Sequence, residues 1–279
     1  MSTLDDRLDA LAAQFAPLPG VLVAFSGGVD SGVVLAAAVR ALDADRVVAA
    51  TAVSPSLPAS ELEGAASFGA SLGVRHEFPR TDELSRPGYV ANAGDRCAFC
   101  KTELVDVLTP LAARLGIADV VTGTNADDLR AGFRPGIRAA AERGAWAPLA
   151  RAGMTKDNVR AAARLWELPL ADKPAAACLA SRIAYGVPVS AEGLARVEAA
   201  EAGLRAALDA AALPVRNLRV RDLGGDTARV EIDAALVADL LARPELLDAV
   251  AGFATVEVDP RGFRSGSMNE LLPDPVRYR

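Results

Sequence analysis

Residues 21–31, VLVAFSGGVDS, decide the fold of this chain. Residues 21–25 are continuously apolar, which predicts a buried strand of a parallel sheet, and residues 31–42 predict a helix directly after the glycine turn. Glycines allow the backbone to approach a phosphate closely, and the N–H groups at a helix start point toward it. The stretch therefore predicts a phosphate-binding loop between a strand and a helix.

The polar residues of this loop suit an anion. Ser26 and Ser31 add hydroxyl donors, and Asp30 adds a carboxylate that can hold Mg²⁺ against phosphate oxygens. The loop lacks the Lys-Ser/Thr pair of a Walker A loop. It resembles the SGGxDS PP-loop of ATP pyrophosphatases, whose members adenylate a substrate and release pyrophosphate. The alternative is a plain strand-to-helix turn with two glycines.

Strands and helices alternate through the first part of the chain. Residues 46–53, 74–78 and 119–124 predict strands, and residues 59–72 and 97–115 predict helices. This alternation indicates right-handed crossovers and an α/β fold with a doubly wound parallel sheet, which binds ligands at the carboxyl ends of its strands. We expect residues 1–185 to form a PP-loop ATP-binding domain of this kind.

The remaining segments predict a second domain. Residues 3–15 predict a helix capped by Ser2 or Thr3, residues 125–153 a loop-rich segment, and residues 155–167 a helix capped by Thr155. From residue 190 the pattern changes to a helix (190–208), a hairpin around Gly-Gly-Asp, a helix (233–250) and a strand (255–258). We expect residues 186–279 to form a smaller α+β substrate-binding domain.

Further candidate nucleotide-binding residues close the predicted strands. Asp127 or Asp128, after the fourth strand, could complete the Mg²⁺ site or orient a ribose; the alternative is a solvated acidic turn. Thr51 and Ser54 could line an adenine pocket or belong to an ordinary loop. The candidate ATP-binding residues are Ala24, Phe25, Ser26, Gly27, Gly28, Asp30, Ser31, Thr51, Ser54, Gly123, Asn125 and Asp127, with Asp30 and Asp128 as candidate Mg²⁺ ligands.

The composition of the chain limits the kinds of partner and compartment that we expect for it. The net charge of −6 and pI of about 5.0 argue against a protein built to hold nucleic acid. Apolar runs are too short to span a membrane, and residues 1–15 are acidic and amphipathic, unlike a signal peptide. Three cysteines are too few for a disulfide framework, so we expect a reducing cytoplasm. Only three of the 30 basic residues are lysines: Lys101, Lys156 and Lys173.

The three cysteines, Cys97, Cys100 and Cys178, leave four alternatives. Cys97 and Cys100 form a CxxC that could be a redox disulfide, although its context is not thioredoxin-like. Together with His76, the chain's single histidine, the three thiols could bind zinc. They could also hold a [4Fe–4S] cluster with one open iron, or Cys178 could act alone as a reactive thiol.

A family resemblance favours the last two alternatives. The segments SGGVDS, TAVSPSLP, RCAFCK, GTNADD, RPG, GMTKDNVR, DKPAAACLASRIAYG and LRVR resemble the LarE family of ATP-dependent sulfur transferases. The resemblance implies adenylation of a carboxylate on a pyridinium biscarboxylate mononucleotide, followed by replacement of AMP with sulfur in a nickel-pincer cofactor precursor. It also implies either that Cys178 is consumed as the sulfur donor or that Cys97, Cys100 and Cys178 hold the cluster. We expect the cluster. Ala184 departs from the usual proline of the family.

An anionic substrate needs basic residues around it. Arg219 and Arg221 lie two apart on a predicted strand and share a face, where they could bind the substrate phosphate or pair with Glu231 across the hairpin. Ser181 and Arg182, beside Cys178, could hold the phosphate or the adenylated carboxylate, or anchor the loop. We add Glu201 as a candidate catalytic residue with Cys178, Asp30, Ser181 and Arg182.

Three rival functions remain open at this point: a PP-loop tRNA thiolase, an amide-forming ATP pyrophosphatase, and a nucleotide-binding iron–sulfur or zinc sensor. The acidic pI opposes the first, and the second gives the cysteines no role. We expect ATP, Mg²⁺ and a [4Fe–4S] cluster as cofactors and a small nucleotide as substrate. We expect a sulfide donor, a downstream nickel-inserting protein and a homo-oligomer as partners, with no nucleic acid and no membrane.

Overall fold

The computed structural model describes residues 2–130, 135–174 and 177–272 of the 279. The described residues divide into two compact units. The first unit comprises residues 2–83, 97–130 and 135–174, and the second comprises residues 84–96 and 177–272. Residues 84–96 belong to the second unit, so the first unit is not continuous in sequence. The predicted domain boundary near residue 185 stays a prediction. Arg134 of the RPG segment, residues 175–176 and residues 273–279 of the predicted second domain lie outside the described residues.

The helices and strands follow the expected order. The strands are β1 (Val21–Ala24), β2 (Val47–Ala50), β3 (Arg75–Glu77), β4 (Asp119–Thr122), β5 (Leu218–Asp222), β6 (Thr227–Ile232) and β7 (Thr255–Val258). The helices are α1 (Leu4–Phe15), α2 (Val29–Leu42), α3 (Ala59–Ser71), α4 (Pro87–Val90), α5 (Arg96–Arg114), α6 (Ala126–Arg130), α7 (Pro135–Glu142), α8 (Pro148–Arg151), α9 (Lys156–Leu165), α10 (Ala191–Ala210) and α11 (Val237–Leu241).

The sheet of the first unit has the order β3-β2-β1-β4, and all its neighbours are parallel. The chain moves from β1 outward to β3 and then returns to the other side of β1 with β4. This reversal of direction creates a crevice at the carboxyl ends of β1 and β4, where doubly wound sheets bind ligands. The α/β prediction with a parallel, doubly wound sheet is confirmed.

Both faces of this sheet are buried, which explains why β1 is continuously apolar. Val21 and Val23 belong to one core cluster with helices α1 and α2, whereas Leu22 belongs to a second cluster with Leu108 of α5. Each of these four side chains is 0% exposed. A strand covered on both faces needs apolar residues at every position, because successive side chains point to opposite faces.

Two helix starts match their predicted caps. The Thr3 side chain accepts from the Asp6 amide, and the Asp6 carboxylate accepts from the Thr3 amide, which forms a capping box. Thr155 and Asn158 form the same reciprocal arrangement at the start of α9. These caps fix where α1 and α9 begin, and the second of them determines where Lys156 lies.

The segment 125–153 differs from its prediction as a loop, because it contains the short helices α6, α7 and α8. None of them exceeds eight residues, so none is long enough to show a helical hydrophobic repeat clearly in the sequence. Pro135 and Pro148 occupy the first positions of α7 and α8, where proline is favoured. The prolines that suggested a loop are therefore helix starts.

The second unit contains the predicted hairpin. Strands β5 and β6 pair antiparallel, and β7 adds to β6 in parallel orientation. Ala200, Leu204 and Leu208 of α10 are fully buried in the core cluster of this sheet. The predicted helix 233–250 is instead α11 between two 3₁₀ turns, and Pro244 begins the second turn. Proline has no N–H for a continuing α-helix, so the helix is interrupted there.

Among the described residues, no helix combines the length and the apolar composition that crossing a membrane requires.

His76 on β3 is held inside the first unit. Its Nε2 lies 2.8 Å from the Thr51 hydroxyl, which itself donates to the Phe25 carbonyl oxygen at 2.7 Å. Its buried Nδ1 has no hydrogen-bond partner and lies against Gly69 of α3, where an added Cβ would be 2.4 Å away. The surroundings of both ring nitrogens therefore disfavour the zinc alternative that used His76.

Burial lowers the pKa of His76, and the nearby Glu77 carboxylate opposes that effect. The unfolded chain therefore binds a proton more readily than the folded chain. The pKa shift of His76 therefore contributes to the free energy of unfolding above the pKa of the unfolded chain, about 6.5. This contribution is lost as the pH falls below that value.

We predict that the free energy of unfolding of the wild type decreases between pH 8 and pH 5.5, with a slope of at most about 1.4 kcal/mol per pH unit from this one proton. His76→Gln should show a shallower decrease, since no other histidine titrates there. Urea unfolding at several pH values measures both slopes. Parallel curves for the two proteins would contradict the prediction.

Candidate functional site

The phosphate loop closes onto the first turn of α2. Gly27 has a φ of +75°, a backbone conformation that favours glycine, and Gly28 caps the helix. The Ser31 hydroxyl donates to the Gly28 carbonyl at 3.2 Å and accepts from the Ser26 amide at 3.2 Å. The strand, loop and helix thus adopt the arrangement that the sequence predicts. ATP binding by these residues stays a prediction.

Phe25 and Ala24, at the end of β1, differ in the burial of their side chains. Phe25 is 1% exposed and packs its ring 5.4 Å from that of Phe68, so its side chain belongs to the core. Its backbone is held by Ala50 and by the Thr51 hydroxyl. Ala24, the last residue of β1, is half-buried. Any contact of Phe25 with a nucleotide would therefore use its backbone.

Gly123 lets the end of β4 approach α2 closely. A Cβ on Gly123 would lie 2.6 Å from the Ser31 amide nitrogen and 2.9 Å from the Ser31 Cα. These neighbours are backbone atoms and cannot rotate away. The glycine therefore brings the loop after β4 against the phosphate loop.

Asn125 joins these two loops through its side chain. Its Nδ2 donates to Asp30 Oδ1 at 3.0 Å, and its Oδ1 accepts from the amides of Asp127 and Asp128 at 2.9 and 3.0 Å. The Asn125 amide donates to Asp128 Oδ2 at 3.2 Å. The structure thus brings together Asp30, Asn125, Asp127 and Asp128, all of which the sequence singled out.

Lys156, at the start of α9, completes this network. Its Nζ donates to Asp30 Oδ2, and its amide donates to Asp127 Oδ2 at 2.8 Å. Both oxygens of Asp30 therefore accept hydrogen bonds, one from an amide and one from an ammonium group. The arrangement does not fit the predicted Mg²⁺ site, because an ammonium contacts the carboxylate where we expected the metal ion.

Lys173 contacts the phosphate loop from another side. Its Nζ donates to the Gly27 carbonyl at 3.0 Å and to Glu61 Oε2 at 2.7 Å. Sequence reasoning assigned no role to Lys156, Lys173 or Glu61. The available signal was the scarcity of lysine, since two of the three lysines contact this loop.

Thr51 and Ser54 stabilise the backbone beyond β2. Thr51 is 1% exposed, and its hydroxyl is engaged by Phe25 and His76. Ser54 Oγ accepts from the Ser56 amide at 3.2 Å within a turn. Their predicted place in an adenine pocket stays a prediction.

Cys97 and Cys100 lie on α5 with a spacing that places them on one side of the helix. Cys97 is exposed, Cys100 is half-buried, and neither forms a disulfide. Gly136 of α7 lies close to the Cys97 carbonyl, since an added Cβ would be 2.8 Å away. Across the described part of the chain, no group of three or more His, Cys, Asp or Glu side chains converges as metal ligands would.

Cys178, in the second unit, carries an exposed thiol at the start of a 3₁₀ turn, Leu179–Arg182. Its carbonyl accepts from the Ser181 hydroxyl at 2.7 Å and from Arg182 Nη1 at 3.1 Å. Arg182 in turn binds both oxygens of Glu201, at 2.9 and 3.0 Å. Glu201 also accepts from the Val220 amide at 3.0 Å. The predicted residues Cys178, Ser181, Arg182 and Glu201 therefore form one connected group.

Arg221 is fixed in this group by hydrogen bonds and is almost completely buried. Its Nε and Nη2 donate to Glu231 Oε2 at 3.1 and 2.7 Å, and its Nη1 donates to the Ser181 carbonyl at 3.1 Å. Ser267 donates to Glu231 Oε1 at 2.8 Å and was not identified from the sequence. Arg221 thus has the pairing with Glu231 that we considered as its alternative role.

Arg219 differs from Arg221 in its electrostatic surroundings. Burial, together with the nearby positive charges of Arg182 and Arg221, lowers the pKa of Arg219 to about 10, and the Glu201 carboxylate opposes this shift. Its guanidinium lies over the Phe263 ring, 5.2 Å from the centroid. Three buried arginines, Arg182, Arg219 and Arg221, thus face two carboxylates, Glu201 and Glu231. Among the described residues, this cluster therefore holds more arginines than carboxylates, a composition that suits an anion.

The reversed parallel sheet and the glycine loop define an α/β protein with the architecture of a PP-loop domain.

No family model matches the chain. An uncharacterized protein from Synechocystis is 41% identical over 274 residues, which cover 96% of this chain and 99% of that protein. The pyridinium-3,5-bisthiocarboxylic acid mononucleotide synthase of Lactiplantibacillus plantarum is 34% identical over 275 residues, which cover 98% and 97%. An uncharacterized protein from Methanocaldococcus jannaschii is 26% identical over 247 residues, which cover 88% and 91%. The chain therefore belongs to the LarE family, as its motifs predicted.

We predict that Gly123→Ala destabilises the first unit by about 1–3 kcal/mol, because the new methyl group collides with backbone atoms of Ser31. Gly64→Ala is the matched control, since its Cβ would meet nothing closer than 3.8 Å and alanine favours a helix. Urea unfolding compares the two variants with the wild type. Equal stability of all three proteins would show that the approach at Gly123 is not tight.

We predict that Arg221→Met costs about 3–5 kcal/mol of unfolding free energy, because it leaves the Glu231 carboxylate buried without its cation. Arg219→Met should cost clearly less, since its surroundings already disfavour the charged form. Adding Glu231→Gln to Arg221→Met should recover part of the loss. Equal losses for the two single variants in urea unfolding would contradict this distinction.

Proposed function

We propose that this chain is an ATP-dependent sulfur transferase that converts a carboxylate of pyridinium-3,5-biscarboxylic acid mononucleotide to a thiocarboxylate. The observation that carries this proposal is the 34% identity with the bisthiocarboxylic acid mononucleotide synthase over 98% of the chain. The SGGVDS loop and the exposed Cys178 supply the two chemical functions that such a reaction needs.

The first function is activation of the carboxylate. A carboxylate is a poor electrophile, and adenylation turns one of its oxygens into part of a good leaving group, AMP. In the proposed reaction the carboxylate attacks the α-phosphorus of ATP, and pyrophosphate leaves. The phosphate loop supports this step, because the Ser26 hydroxyl and the amides at the start of α2 can hold phosphate oxygens.

The second function is substrate binding and sulfur delivery. We assign the substrate phosphate to Arg219, because the second unit has its excess positive charge there. Arg221 and Arg182 act as positioning residues, since both hold the backbone of the turn that carries Cys178. Glu201 and Glu231 keep these two arginines in place.

The sulfur source divides the proposal into two routes. In the sacrificial route, the Cys178 thiolate attacks the acyl adenylate and displaces AMP to form a thioester. A base then removes the Cα proton, the Cβ–S bond breaks, and the products are a thiocarboxylate and dehydroalanine at position 178. This route spends one protein chain for each sulfur atom.

We favour the cluster route, because it gives Cys97 and Cys100 a function. Their thiols, like that of Cys178, have the donor chemistry of iron–sulfur ligands. When bound, a three-thiolate [4Fe–4S] cluster would supply an open iron able to carry sulfide. The route would require an external sulfide donor, and we propose a nickel-inserting protein downstream, a homo-oligomeric state and a cytoplasmic location.

We predict that protein reconstituted anaerobically with iron and sulfide releases pyrophosphate and forms the thiocarboxylate when given ATP and the biscarboxylate mononucleotide. Coupled pyrophosphate detection and mass spectrometry of the nucleotide measure the two products. Cys178→Ala should form no thiocarboxylate by either route. Failure of the wild type to release pyrophosphate with substrate, or its release only with tRNA, would overturn the proposal.

The same reaction separates the two routes. On the cluster route, Cys97→Ala loses bound iron and thiocarboxylate formation, and the wild-type chain keeps its mass through several turnovers. On the sacrificial route, Cys97→Ala still turns over once, and each reacted chain is lighter by the mass of H₂S.

A further inference from the structure

The ammonium group of Lys156 is held in a defined position beside the phosphate loop. The Thr155–Asn158 capping box fixes the first turn of α9, and the Lys156 amide donates to Asp127 at its start. The side chain then reaches Asp30, the second residue of α2. Because both ends of the side chain are anchored, its charge lies at the start of the helix that follows the loop.

Lys156 keeps donors for another acceptor. An ammonium has three N–H groups, and Asp30 is the one hydrogen-bond partner of Nζ among the described residues. The side chain is 35% exposed, so its other donors are accessible from solvent. Lys173 differs, since its Nζ already donates to both Gly27 and Glu61 and its side chain is 23% exposed. Of these two lysines, Lys156 therefore has donors to offer a ligand, and Lys173 holds the loop.

Asp30 has the geometry of a residue that positions Lys156. Asn125 binds one of its carboxylate oxygens and Lys156 the other, which fixes the plane of the carboxylate. A bare carboxylate at this place would repel phosphate, and the ammonium neutralises it. This arrangement explains why the predicted Mg²⁺ ligand carries an ammonium partner.

We propose that Lys156 binds the phosphates of the nucleotide, with Asp30 and Asn125 as positioning residues; this inference rests on the proposed use of ATP. The lysine supplies from α9 the charge that the loop itself lacks. It stabilises the negative charge that develops on the departing pyrophosphate by donating hydrogen bonds, with no proton transferred.

Isothermal titration with a non-hydrolysable ATP analogue tests the proposal, once in EDTA and once in Mg²⁺. Lys156→Met should bind the analogue about tenfold more weakly or worse than the wild type in EDTA, as expected for loss of a charge-assisted hydrogen bond. Lys156→Arg should recover part of the affinity. Arg164→Met is the matched control, because Arg164 is another α9 cation paired with an aspartate, Asp172, in a surface ion pair. It should bind like the wild type.

Asp30→Asn distinguishes a positioning residue from a metal ligand. If Asp30 positions Lys156, Asp30→Asn weakens binding even in EDTA, and the double variant with Lys156→Met is no weaker than Lys156→Met alone. If Asp30 acts as a metal ligand alone, Asp30→Asn binds equally or more tightly in EDTA, because a negative charge has been removed. That second result would overturn the assignment of Asp30.

Equal affinities of the wild type and Lys156→Met in EDTA would overturn the role of Lys156 while leaving the proposed function intact. A wild type that binds no analogue under either condition would overturn ATP use and this inference together. Far-UV circular dichroism and urea unfolding confirm that each variant is folded. If Lys156→Met does not fold, the same comparison is made with Lys156→Gln.

Discussion

The close approach of Gly123 to the amide of Ser31 is the constraint on which the candidate nucleotide site depends. It brings the loop after β4 against the first turn of α2, and only a residue without a side chain fits there. Asn125 can then reach Asp30, and Asp127 can accept from the start of α9. The site is thus a consequence of the sheet order, since β4 returns to the side of β1 opposite β2.

The second unit differs from the first, because it buries several arginines away from water. Arg182 and Arg221 each bind a carboxylate through two nitrogens, and each also binds a backbone carbonyl of the segment 177–181. Removing such charges from water is costly, and the cost is offset only when geometry and further hydrogen bonds are good. The paired arginines therefore fix the turn beneath Cys178, while Arg219 remains the candidate for a ligand.

The sequence predicted the fold well where a local pattern determines structure. Buried strands, the glycine loop, the Thr155 cap and the hairpin each have such a pattern, and each was found. The short helices between residues 126 and 151 have none, because helices of four to eight residues are too short to show a clear hydrophobic repeat. The helix predicted for residues 233–250 was wrong at Pro244, where its apolar pattern continues but an N–H is missing.

The sequence predicted many of the residues of the candidate site, but it predicted fewer of the interactions between them. Asp30, Asn125 and Asp127 were identified because strand ends of a parallel sheet share an edge. The partner of Asp30 was not, since Lys156 is 126 positions away and no periodicity connects them. The Arg221–Glu231 pair was offered by the sequence as an alternative, but the sequence did not distinguish Arg219 from Arg221 as the partner. Strand register places Arg219 opposite Glu231, whereas the ion pair forms with Arg221.

The two units use arginine and lysine for different tasks, which gives the rare lysines a physical explanation. A planar guanidinium can bind a carboxylate through two nitrogens and a carbonyl with its remaining donors, as Arg182 and Arg221 do. Such a side chain is committed to the fold. An ammonium is a compact charge with rotatable donors, so it can remain on a carboxylate and still turn other donors toward an incoming phosphate. At Asp30 this difference matters for the role that we propose for Lys156, in which the same cation neutralises the carboxylate before the nucleotide arrives and binds the phosphates afterwards.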